Sequence, residues 1–144
     1  MLKDLAGKYY KMGYNCAEAT VRAGNEYYNL GLSEHDMRMM AGFGGGLFVK
    51  DICGVLSGAI AAISCRYVET KAHDNQEEIK AVVQKMVARF EELMGSRKCE
   101  IVKEKYYTKE EKCCPTVVRG AEVFEQVVNE WDAQREAFKA NLNK

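Results

Sequence analysis

The chain has 144 residues and a mass of 16.3 kDa, enough for one domain with a sizeable core, and its 21 basic and 21 acidic side chains cancel to a formal charge of zero. No basic stripe interleaves with aromatics, so nucleic acid is excluded as an expected partner. The longest uncharged run, residues 52–65, holds Ser57 and Ser64 and falls short of the roughly 18 to 20 residues that a membrane span needs.

Leu2, Leu5, Tyr9 and Met12 space a first short helix, which Gly13 closes. The stretch Met1-Leu2-Lys3-Asp4 carries no apolar core of a secretory signal, which gives a cytoplasmic address as the expectation. Asn15, followed three residues later by Glu18, makes a capping-box start that puts Cys16 in the first position of a second helix, ending near Gly31. Ser33 with Asp36 opens a brief helical turn carrying Met37, Met39 and Met40. Gly42-Phe43-Gly44-Gly45-Gly46 cannot be a helix interior, because glycine loses too much backbone entropy there; it predicts a loop that bends sharply or passes close to something.

Asp51 is the expected cap of an apolar helix starting Ile52-Cys53-Gly54-Val55-Leu56, with Cys53 in its first turn. Gly54, Gly58 and Ala62 recur every fourth residue along it, a strip of small side chains that admits a neighbouring helix at close range. Cys65, near its end, reads as a small core hydrophobe. Ile79, Val82, Met86, Phe90 and Met94 mark one face of an amphipathic helix closed by Gly95. Ser96 reads as the cap of a short helix holding Cys99, inside a mixed-charge segment, residues 96–114, expected to be a solvated excursion. Pro115 suits a first helical position, which makes Cys114 the cap of the last helix. Its stripe runs Val117, Ala121, Phe124, Val128, Trp131, Phe138 and Leu142, with Arg135 in one slot, and its far end offers a seam for a homodimer. Nothing reads as a strand. The expected fold is all-α, a single-domain helical bundle over residues 1–144 with a glycine-rich loop and a long C-terminal helix.

Four of the six cysteines, Cys16, Cys53, Cys99 and Cys114, thus fall at helix starts. A helix N-terminus carries roughly half a positive charge and can lower a thiol below its free pKa of about 8.5, so four such positions point to a sulfur site. In a reducing cytoplasm a chain this rich in cysteine is more often metal-binding, catalytic or redox-sensing than disulfide-stapled. The absence of any Cys-x-x-Cys argues against a zinc ribbon, a thioredoxin-type dithiol and covalent haem attachment. His35 and His73 lie in polar stretches and read as solvated. The glycine loop has no preceding strand and no following Gly-Lys-Ser/Thr, so it is not a phosphate loop; its backbone is expected to donate N–H bonds to a thiolate or an inorganic sulfide.

Asn15-Cys16-Ala17-Glu18-Ala19, Gly42-Phe43-Gly44-Gly45-Gly46-Leu47, Cys53-Gly54-Val55-Leu56-Ser57-Gly58, Cys99 and Cys114-Pro115, taken in order, resemble the C_GCAxxG_C_C family, named as redox-active. The resemblance runs from about residue 9 to residue 127, and Val55 departs from it where the family pattern has alanine. It implies a small helical protein with four characteristic cysteines, here Cys16, Cys53, Cys99 and Cys114. It also implies kinship with a domain of split-Soret-type cytochromes, where an iron-sulfur or non-haem iron site occurs. Their haem-binding part has no counterpart in this chain. Cys65 and Cys113 are then extras, and two roles stay open for Cys113: to replace its neighbour Cys114 as ligand, or to form a strained vicinal disulfide with it.

These observations support several functions. In the first, the four thiolates bind an iron-sulfur cluster, most simply [2Fe-2S], and pass single electrons to a redox partner protein. In the second, no metal is bound, and Cys16 and Cys114 carry out thiol-disulfide exchange. The third is structural zinc on all four thiolates, and the fourth a helical interaction module with buried cysteines. No acid/base or nucleophile-base pair marks a conventional enzyme.

Overall fold

The computed structural model describes residues Met1–Lys144. Seven α-helices follow one another: α1 (Leu2–Lys11), α2 (Cys16–Tyr28), α3 (Glu34–Met37), α4 (Gly54–Tyr67), α5 (Gln76–Met94), α6 (Cys99–Tyr106) and α7 (Cys114–Leu142). The fold is all-α, with two isolated antiparallel bridges, Ile52 with Lys98 and Thr108 with Lys112, as its only β-type pairing. No helix is long and apolar enough to cross a membrane.

One core of buried side chains unites α1, α2, α4, α5 and α7, with Phe90, Phe124, Leu2, Leu56 and Ile63 at its centre. The small-residue strip performs the packing that its spacing predicts. A methyl added at Gly58 would stand 2.6 Å from the Ala17 carbonyl oxygen, and one at Gly24 would stand 2.9 Å from Ala62, so α2 and α4 lie backbone to backbone. That close approach brings the starts of the two helices, and their cysteines, side by side. Farther along, Arg135 fills its slot in the apolar stripe of α7 by pairing with the buried carboxylate of Glu78 on α5, which also accepts Trp131 Nε1 at 2.9 Å. The α7 stripe is buried as far as Trp131, against which Phe138 packs with ring centroids 4.9 Å apart.

Several local expectations shift. Asn15 caps α2 in a full capping box, as its sequence dictates. Asp51, however, does not cap α4: the helix begins at Gly54 with Cys53 as its cap, while Asp51 turns toward α6. Ser96 is not the cap of α6 either; that place belongs to Lys98, whose N–H the Ser96 hydroxyl accepts at 3.0 Å. The last helix starts one residue early, with Cys113 as cap, Cys114 in the first position and Pro115 in the second. Cys65 is exposed rather than part of the core, because it lies on the outward side of α4. The excursion of residues 96–114 contains α6, which anchors itself by burying Cys99 and Val102.

Candidate functional site

Four cysteines, Cys16, Cys53, Cys99 and Cys113, share the lining of one small cavity of about 50 Å³ with Gly45, Val102, Lys103 and Thr116. Each comes from a different helix start: the first position of α2, the cap of α4, the first position of α6 and the cap of α7. Cys114 lines a separate open cleft against α1, with Lys3, Lys8 and Lys11. Successive helical residues point about 100° apart, so the one-residue shift in the start of α7 decides which of the two adjacent sulfurs faces the cavity.

Backbone bonds hold these starts in place. Cys53 N–H donates to the Arg97 carbonyl at 2.8 Å and Cys99 N–H to the Asp51 carbonyl at 2.5 Å. Lys98 Nζ reaches Asp51 Oδ1 at 2.7 Å and closes the same junction from outside. Cys113 N–H donates to the phenol oxygen of Tyr10 at 3.1 Å, which fixes the cap of α7 to α1. Below Cys16, a methyl at Gly54 would collide with the Cys16 sulfur, so only glycine fits there.

The glycine loop forms the wall that its composition suggests. Residues Gly45, Gly46, Leu47 and Phe48 all adopt left-handed backbone, with φ between 57° and 61°. This tight turn presses Gly46 against the start of α6, where a Cβ would stand 2.7 Å from Cys99 Cβ. Gly45 also lines the cavity beside Cys16, and its N–H, with those of Ala17, Cys16 itself and Gly54, pulls the Cys16 thiol pKa down. The N–H groups of Val55 and Leu56 pull on the Cys53 thiol in the same direction.

Burial nevertheless dominates the acidity of all four thiols. It pushes Cys16, Cys99 and Cys113 up and Cys53 to about 12, against the downward pull of those N–H groups and, for Cys99 and Cys113, of Lys103. The helix-start dipoles do not win, contrary to the expectation from placement alone, because sulfurs that are buried, or half-buried at Cys113, lose more solvation than a half-charge returns. As free thiols these groups are protonated at neutral pH. No three or more Cys, His, Asp or Glu side chains stand together as a ready-made metal site.

A wider groove of about 600 Å³, bordered by Tyr10, Lys11, Tyr14, Asn15 and Lys112, shares Cys16, Gly45 and Cys113 with the cavity and so lies beside it. His35 and His73 are exposed and take no part. Three lining or bracing groups, Tyr10, Lys103 and Thr116, are absent from the sequence reading. Thr116 follows Cys113 by three residues and so shares its helical face, a signal usable only once the true start of α7 is known. Tyr10 carries no local signal, since its partner lies at the other end of the fold.

A family model described as "Putative redox-active protein (C_GCAxxG_C_C)" matches residues 14–127. No curated protein and no solved structure matches the chain.

Proposed function

The chain belongs to the C_GCAxxG_C_C family, whose name marks it as redox-active, and from that premise we propose that it is a small cytoplasmic electron carrier whose cavity holds an iron-sulfur unit, most simply [2Fe-2S], on Cys16, Cys53, Cys99 and Cys113. The observation that carries this reading is that four soft sulfur donors, from four separate helix starts, line one small cavity. At about 50 Å³ the space suits an ion or a small inorganic unit, whereas organic ligands commonly occupy about 300 to 1,000 Å³. An unpartnered hydroxyl in the wall, Thr116 Oγ1, suits the same occupant, since a buried donor without an acceptor fits a space that fills with thiolate.

Held by Cys16, Cys53, Cys99 and Cys113, such a group would supply reversible one-electron transfer between a donor protein and an acceptor protein. The chain's own residues prepare for it. Four thiols release their protons when they become ligands. The backbone N–H groups that lower the Cys16 and Cys53 thiols, with Lys103 in the wall and Lys50 acting on Cys99, would offset the negative charge left behind. Metal-free disulfide exchange is less well supported, because it needs a thiolate nucleophile and burial disfavours one at every cavity position. Structural zinc has the same donor set in its favour and is the second reading.

The test is iron, zinc and acid-labile sulfide content, with a visible spectrum, on protein purified without oxygen or chelator. The expected result is iron with sulfide in the natural chain and in Cys114→Ser, and its loss in Cys113→Ser. Stoichiometric zinc without sulfide would replace the electron carrier by a structural site, and a metal-free chain with titratable thiols would overturn both.

A further inference from the structure

Thr116 stands in the third position of α7, one turn after Cys113, and its side chain lines the four-thiol cavity. It is 4 % exposed, and its Oγ1 makes no hydrogen bond. Its situation differs from that of the other hydroxyls that follow site cysteines. Thr20 Oγ1 donates back to the Cys16 carbonyl at 2.7 Å, and Ser57 Oγ donates to the Cys53 carbonyl at 3.5 Å. Those two donors are spent on the carbonyl four residues earlier. The equivalent carbonyl for Thr116 belongs to Lys112, and it already accepts Thr108 N–H at 3.2 Å.

A buried hydroxyl without a partner is costly, and few persist without a reason. Four of the eight residues that line the cavity are cysteines, and no sulfur stands within hydrogen-bond reach of Oγ1 while the thiols are free. A neutral thiol is a weak acceptor, but a ligating thiolate is a strong one, and hydrogen bonds to it are charge-assisted. We propose that, once the thiols are ligands, Thr116 Oγ1 turns to donate a hydrogen bond to a ligating thiolate of this cavity, that of Cys113 one helical turn earlier, and thereby raises the reduction potential of the site. The inference rests on the electron-carrier reading. Thr116 acts through the sulfur and is a positioning residue. Its hydrogen bond draws charge from the thiolate and favours the reduced, more negative state.

The two states of the site place opposite demands on this side chain, and the test uses that opposition. Thr116→Val keeps the shape and removes the donor, Thr116→Ser keeps the donor, and Thr116→Ala repeats the removal without the branched methyls. In the iron-loaded chain, Thr116→Val is expected to retain natural iron and sulfide content while its midpoint potential moves to a more negative value, with Thr116→Ser at the natural potential. In the metal-free chain, Thr116→Val is expected to be at least as stable toward urea as the natural sequence, because it removes an unpaired donor. An unchanged potential in a fully loaded Thr116→Val, and in Thr116→Ala should valine fail to fold, overturns the inference alone. An equal loss of urea stability with and without metal overturns it too, by assigning Thr116 to packing. A natural chain that takes up no iron removes the electron-carrier reading and this inference with it.

Discussion

Cys53 and Cys99 are fastened to each other's strand of chain by their own amides, Cys53 N–H to the Arg97 carbonyl at 2.8 Å and Cys99 N–H to the Asp51 carbonyl at 2.5 Å. The spacing of two site sulfurs that are remote in sequence is therefore set by main chain and not by side-chain packing. Such a junction has little tolerance for added volume.

Gly46 packs directly on it. A methyl there would stand 2.5 Å from Asp51 N and 2.7 Å from Cys99 Cβ, in a backbone conformation with φ of 61°. Gly46→Ala is expected to destabilise the fold by more than about 1 kcal/mol and to cost metal uptake, whereas Gly42→Ala, with open space around it, leaves both unchanged. Urea unfolding and metal content of the two variants check this.

Thiol accessibility gives a second prediction. At neutral pH an alkylating reagent is expected to modify Cys65 first, since it alone is exposed, with half-buried Cys113 next and Cys53 last, its thiol pushed to about 12 by burial. Mass spectrometry of the metal-free chain should show one fast label, absent in Cys65→Ala, and labelling of all six cysteines only after unfolding.

The Glu78 carboxylate predicts an acid-sensitive fold. Burial alone would raise its pKa, but bonds from Arg135, Trp131 and Asn75 outweigh burial and bring it from 4.5 to about 2. A carboxyl lowered on folding contributes stability that is fully present above its ordinary value and is lost as pH falls from 4.5 toward 2. The contribution is at most roughly 3 kcal/mol, reduced by solvent screening of the partly exposed Arg135. Urea midpoints at pH 7 and pH 3 should differ less in Glu78→Gln than in the natural chain.

The left-handed turn beside the cavity carries two side chains that strain it. Leu47 and Phe48 have φ of 61° and 57° and are exposed, so their side chains return little for a conformation that costs an L-residue roughly 1 to 2 kcal/mol. Leu47→Gly or Phe48→Gly is expected to raise stability by about 0.5 kcal/mol after the added freedom of the unfolded chain is counted, while Val49→Gly, at φ of −124°, lowers it. Thermal unfolding of the three variants decides the matter.

Local signals carried the fold. The capping box of Asn15 and Glu18, the closing Gly95 and the strip Gly54, Gly58, Ala62 all act through neighbours within a helical turn or through sheer lack of side chain, and each does in the structure what its spacing indicates. Misreadings arose where a distant partner competes. Asp51 looks like a cap until Lys98 and Cys99 claim its carboxylate and carbonyl. Cys113 and Cys114 are indistinguishable until Tyr10 on α1 fixes the cap of α7, and that single residue of phase selects the sulfur that enters the cavity. Thiol acidity followed the same pattern, since helix starts are local but burial is a property of the assembled core.

The walls of the cavity come from stretches near residues 16, 45, 53, 99 and 113, so during synthesis no emerging portion of chain possesses the pocket before the first turn of α7 has been made. Whatever occupies it must arrive after those segments have found one another. Once there, an occupant gripping all four sulfurs would act as a rivet, closing long loops whose entropy then no longer favours opening. Delivery of that occupant would be a step of maturation, and the empty and filled chains two populations with different lifetimes.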